Sequence, residues 1–208
     1  MIRGRLAIFG AGGHGKVVAE TALASGWEDV DFYDDGCPDE KLTDGHVVLG
    51  DFEDLVSNAA NYQGFHVAIG LNNTRSLLIE RLRDLDLSLP DIIHPSAIIS
   101  DTVSFAGGVC VLPGVIVNAG SKVGVGVILN SASVIDHDCE IGRGAHISPG
   151  VRLAGGVKVG FRTWVGIGAL VIQGIKIGSD SIIGAGSVVV ADVTDDVTSV
   201  GVPSRVIG

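Results

Sequence analysis

The chain reads as an α/β unit over residues 1–90 joined to a parallel β-helix over residues 91–208. Three observations predict this. A glycine-rich turn lies between an apolar strand and a helix near the amino terminus. An aliphatic residue recurs every six positions from Ile93 onward. Composition agrees, with 31 Gly and only 5% aromatic residues. That balance suits tightly turned β structure, where Gly supplies left-handed backbone and close approach.

The elements follow in order. "RLAIFGAGGHGKVVAETALASG" predicts a strand, a turn and a helix ending near Gly26. Gly10, Gly12 and Gly15 have G-x-G-x-x-G spacing, follow a strand and open a helix, an arrangement that lets backbone N–H groups approach a phosphate. "DVDFYDD" predicts a second strand, with Asp34 and Asp35 about twenty residues past the turn. "FHVAIG" (65–70) predicts a third. "NNTRSLLIERLRDLDL" predicts a helix with Leu78, Leu82 and Leu85 on one face and Asn72 or Asn73 as its cap. This Rossmann-like unit has room for about half of a doubly wound sheet. It suits a nucleotide-containing ligand better than a whole dinucleotide, and no dehydrogenase apparatus accompanies it.

From Ile93 to Val189, steps of six meet seventeen apolar residues, all aliphatic except Phe105. The fourth residue after each is small or β-branched in nearly every hexad, as in Val109, Ser133, Cys139 and Ala145. Neither a helix nor a strand alternation has this period. Short strands joined by tight corners do, and three hexads make one triangular coil. Such a solenoid needs caps. The chain before Ile93 supplies one, and "DVTDDVTSVGVPSRVIG" leaves the prism at the other end.

The net charge of −10 argues against nucleic acid as partner. It leaves room for an anionic small molecule held by backbone N–H groups. No secretory leader pattern and no membrane-length apolar run is evident. Cys37, Cys110 and Cys139 are scattered, which suggests reduced thiols, a cytoplasmic setting and no structural zinc.

The hexads resemble those of the hexapeptide-repeat transferases, whose fold is a left-handed parallel β-helix. With the α/β unit, the whole chain resembles the family of sialic acid O-acetyltransferases and bacterial N-acetyltransferases of nucleotide-linked 4-amino sugars. The matching motifs are "GAGGHG" (10–15), "FYDD" (32–35), "AIGLNNTR" (68–75), "ILNSASVIDHDCEIG" (128–142), "HISPGVRLAGGVKVG" (146–160), "WVGIGALVIQGIKIG" (164–178) and "VGVPSRVIG" (200–208). The resemblance implies acetyl-CoA as donor, no metal, and a homotrimer with active sites between neighbouring prisms. It implies His137 as general base with Asp138 as its partner, and Gly155 as oxyanion donor. It places His146, Ile167 and Ala185 along acetyl-CoA. It places Gly12, Gly13, His14, Asp34, Asp35, Gly70 and Asn73 around the nucleotide sugar.

The chemistry suits these residue types. An amine attacking a thioester must lose a proton, and an imidazole with an ordinary pKa near 6.5 can take it. A carboxylate on the far ring nitrogen fixes the tautomer, although sequence alone leaves Asp136 and Asp138 as rivals. The expected function is N-acetylation of the 4-amino group of a UDP-linked 4-amino-4,6-dideoxy sugar. The alternatives are a GDP-linked amino sugar or a sialic acid hydroxyl. A zinc hydratase needs three converging histidines, and only His137 and His146 lie in the relevant coils. A non-catalytic scaffold leaves the glycine turn and the His-Asp pair unexplained.

Overall fold

A computed structural model describes residues 3–36 and 47–207. Cys37 lies outside the described residues.

The amino-terminal elements are β1 (Arg5–Phe9), α1 (Gly13–Ala24), β2 (Asp29–Tyr33), α2 (Phe52–Ser57), β3 (Gly64–Val67) and α3 (Asn72–Asp84). Among the described residues the sheet is parallel, in the order β2-β1-β3. Two of its glycines are required by packing. A Cβ at Gly10 would meet Ala68 O at 2.7 Å, and one at Gly15 would collide with Gly10 O.

Two expectations for α3 need correction. Neither Asn72 nor Asn73 caps it. Leu71 is the N-cap residue and no side-chain cap bond forms; the Asn72 Oδ1, the atom a cap would use, accepts from Arg75 Nη2 at 2.8 Å, and its amide donates to Arg162 O at 2.7 Å. Leu85 is 48% exposed, since the helix has already ended at Asp84. The buried face is Arg75, Leu78, Ile79 and Leu82. Helix α2 was not anticipated. Asp51 starts it through a reciprocal capping box with Asp54.

Residues 92–189 form the left-handed parallel β-helix. Two-residue strands pair with strands eighteen positions away, as Ile93 with Val111 and Ile135 with Leu153. The hexad aliphatics point inward and make one continuous core with the small residues between them. Cys139 belongs to this core and is fully buried.

Three faces result. The first carries strands at 92–93, 110–111, 128–129, 146–147, 164–165 and 182–183; the second carries 98–99 through 188–189; the third carries 104–105 through 176–177. On the first face, Ile92, Cys110, Leu112 and Ile128 pack against Leu6, Ile8, Val18 and Phe32. The α/β unit is therefore seated on the early coils of this one face. The carboxy-terminal segment does not leave the prism. Thr198–Gly201 extends the first face beside Ile182–Ile183, and Ser204–Ile207 folds back antiparallel on it.

Candidate active site

His137 stands on the edge between the second and third faces, following Val134–Ile135 and preceding Glu140–Ile141. Its Nδ1 lies 2.9 Å from Asp138 Oδ2. Asp138 reaches back because its backbone is left-handed, with φ 58°, a conformation Asp tolerates better than most residues. Asp136 faces the backbone instead. Its Oδ1 accepts from His137 N at 2.8 Å and from Asn118 Nδ2 at 2.9 Å. The hydrogen bond to Asp138, then the charge of Asp136, raises the His137 pKa. The bonds from Asn118 and His137 N lower that of Asp136.

The other ring nitrogen faces the next coil. A Cβ on Gly155 would lie 2.5 Å from His137 Nε2, so only glycine leaves the ring in place. Among the described residues the Gly155 N–H donates to no protein acceptor. An exposed imidazole nitrogen and a free backbone N–H thus sit side by side.

His146, Ile167 and Ala185 come together elsewhere. With Ser148, Pro149 and Trp164 they line an apolar groove of about 440 Å³ along the first face. His146 is buried and stacked on Trp164, with centroids 5.5 Å apart and planes 10° apart. Burial, then the charges of Arg75 and His14, lowers its pKa to about 3. Trp164 Nε1 donates to Ser148 Oγ at 2.7 Å, which fixes the indole. A second groove, beside α3, shares Trp164 and Ile182 with the first. Sequence inspection passed over Trp164. Its signal was the eighteen-residue step from His146, which places both on the outer side of one face.

The glycine turn approaches this groove. His14 stacks on His146 at 6.5 Å, and burial followed by the Arg75 charge lowers its pKa to about 4. Gly12 and Gly13 are exposed, with nothing within 4 Å of an added Cβ. They leave an open path to the start of α1. Gly70 also faces open space, and Asn73 lines the second groove. The two carboxylates have local duties. Asp34 accepts from Ala11 N and Gly36 N, both at 2.8 Å, while Asp35 accepts from Phe52 N at 3.0 Å.

The expected residues therefore form two groups. The first face borders two edges of the prism, and His137 stands on the third. Within one chain the His-Asp pair and the groove do not meet. Among the described residues no group of three His, Cys, Asp or Glu side chains is placed to hold a metal ion.

A hexapeptide prism with an apolar groove, an exposed His-Asp pair and a glycine-turn α/β unit defines an acyltransferase of the hexapeptide-repeat class. The PglD N-terminal domain family matches residues 5–82. A variant of perosamine N-acetyltransferase from Caulobacter crescentus, in complex with CoA and GDP-perosamine, is 42% identical with a TM-score of 0.94, covering 98% of this chain and 96% of that one. The acetyltransferase domain of PglB from Neisseria gonorrhoeae, in complex with acetyl coenzyme A, is 37% identical with a TM-score of 0.93 over the full length of both chains. WeeI from Acinetobacter baumannii is 27% identical with a TM-score of 0.89, covering 98% of this chain and all of that one. This chain belongs to the hexapeptide-repeat sugar N-acetyltransferases.

Proposed function

We propose that the protein transfers the acetyl group of acetyl-CoA to the 4-amino group of a nucleotide-linked 4-amino-4,6-dideoxy sugar, with His137 as general base. The observation that carries this reading is the juxtaposition of His137 Nε2 with the free Gly155 N–H, with Asp138 on the opposite ring nitrogen.

The neutral amine attacks the thioester carbonyl carbon and a C–N bond forms. Its proton passes to Nε2, and Asp138 stabilises the resulting imidazolium. The carbonyl oxygen becomes an oxyanion and accepts from the Gly155 N–H. The C–S bond then breaks, and the departing thiolate of CoA takes the proton from the imidazolium. No covalent enzyme intermediate is needed.

Acetyl-CoA runs along the groove lined by His146, Ile167 and Ala185. The diphosphate of the nucleotide sugar approaches Gly12, Gly13 and His14, with Asp34, Asp35, Gly70 and Asn73 around the base and sugar. The nucleobase has two readings. UDP is the expectation from the sequence resemblance. GDP is favoured by the 42% identity to an enzyme solved with GDP-perosamine.

The site is shared between subunits. His137 stands on the edge that does not border the groove, so the base must come from a neighbouring prism. A closed ring of three prisms supplies each groove with one such histidine. Among the described residues no helix is long and apolar enough to cross a membrane. We place the enzyme in the cytoplasm on the ground of its unpaired cysteines, Cys110 and Cys139.

The test is thiol release from acetyl-CoA with GDP- and UDP-linked 4-amino sugars, for the native protein and His137→Ala. A loss of about 10² or more in the variant supports the base. Undiminished release in the variant removes His137 from that role, and the preferred nucleotide separates the two readings.

A further inference from the structure

Arg75 is 1% exposed, and among the described residues no carboxylate pairs with it. Its donors are instead shared between two parts of the molecule. On the α/β side, Nη1 donates to Ile69 O at 2.9 Å and Gly70 O at 3.1 Å, and Nη2 donates to Asn72 Oδ1 at 2.8 Å. On the prism side, Nε donates to Gly126 O at 2.9 Å and Nη2 to Gly144 O at 2.6 Å. Nη2 also reaches Ala145 O at 3.4 Å, next to His146.

A buried guanidinium is costly unless every donor is used, and an apolar side chain of similar volume often stabilises a core better. Here the donors are used, and their targets are specific. The prism does not need them for its own closure. Among the described residues neither Gly126 O nor Gly144 O accepts from a backbone N–H between coils. What the side chain adds is a fixed distance between the 69–72 loop and the coil that carries His146.

We propose that Arg75 is a positioning residue that sets the 69–72 loop, and so the nucleotide sugar, in register with the acetyl-CoA groove. This rests on the functional reading above. Gly70 lies in the loop and Asn73 follows it, and His146 opens the groove. One planar fork therefore registers one substrate against the other. A lysine keeps the charge but lacks the fork, so it reaches the two sides less well.

The test uses full-length Arg75→Lys and Arg75→Met. KM for the nucleotide sugar is expected to rise about tenfold or more, while KM for acetyl-CoA stays within about threefold. Amide exchange in residues 69–72 is expected to quicken about tenfold with the prism unchanged. A folded Arg75→Lys with both KM values and loop exchange within about twofold of native overturns the proposal. So does an equal rise in both KM values, which marks a general packing role. Should Arg75→Met fail to fold, Asn72→Ala removes one acceptor and the bond to Arg162 O. A smaller rise in the sugar KM alone is then expected, and no change counts against the proposal. If the native protein acetylates neither nucleotide sugar, the functional reading fails. Loop exchange in Arg75→Lys still decides whether the arginine holds the loop.

Discussion

Gly155→Ala tests the packing of the base with a single methyl group. The Cβ would lie 2.5 Å from His137 Nε2 and 2.6 Å from Cε1. Non-bonded heavy atoms settle at about 3.5 Å, so the ring must retreat by about 1 Å. It has room to do so because His137 is exposed. The backbone also accepts alanine, since Gly155, unlike Gly156, does not have a left-handed φ. The fold should survive and the Gly155 N–H is retained. What is lost is the alignment of Nε2 with the amine, and with it the 2.9 Å bond to Asp138 is strained. A displacement of this size costs about 10² in rate, or about 2.7 kcal/mol of barrier. The assay is thiol release at saturating substrates, with thermal unfolding measured beside it. Gly156→Ala is the control. Its φ is 70° and the nearest neighbour of an added Cβ is Gly174 Cα at 4.0 Å. It should cost about 1–2 kcal/mol of stability through its left-handed backbone and leave His137 where it is. A folded Gly155→Ala with activity within about threefold of native would refute the reasoning, because the ring would not then be held at its working position.

Three further outcomes are expected. In Asp138→Asn the raised pKa of His137 falls toward its ordinary value, since its largest cause is removed. The acid limb of kcat/KM moves to lower pH while the plateau drops by about tenfold or more; an unmoved limb counts against Asp138 as the partner. Trp164→Ala removes the ring stacked on His146 and one wall of the groove. Such a contact is worth about 0.5–1.5 kcal/mol, so calorimetric titration should show CoA binding about 2–10-fold weaker, and unchanged affinity would take Trp164 out of the groove. The third outcome concerns acid stability. Burial lowers the pKa of His14 to about 4 and those of His66 and His146 to about 3. The unfolded chain takes up these protons first as pH falls below about 6.5. Stability is therefore full above that pH and declines toward pH 4 and 3, by up to about 1.4 kcal/mol per unit for each histidine. His137, with a raised pKa, acts in the opposite sense. Urea midpoints at pH 7.5 and 5 check this, and equal midpoints would show that these imidazoles are not held neutral.

Much of the architecture was legible along the chain. The six-residue period placed Val111, Ile135, Ile147 and Val165 inside the prism, because an inward aliphatic repeats once per face regardless of what surrounds the solenoid. It also placed Cys139 in the core. The glycine spacing located the turn, although only the folded chain separates Gly10 and Gly15, which clear backbone, from Gly12 and Gly13, which leave an open path. The expected site residues could be named by resemblance, but their grouping could not.

Local pattern determined the repeat, the strand-turn-helix start and the adjacency of His137 to Asp138, since each depends on neighbours within a few residues. Docking decided the remainder. Arg75 reads as one polar position of an amphipathic helix until Gly126 and Gly144, distant in sequence, offer it their carbonyls. Trp164 reads as an exposed rung until His146 lies against it. The hairpin at Ser204–Ile207 forms because the first face offers a free strand edge. Only the assembled triangle shows that His137 and the groove occupy different sides of one prism. A periodic sequence specifies inside from outside at every coil, but which edge faces which partner depends on contacts far apart in the chain.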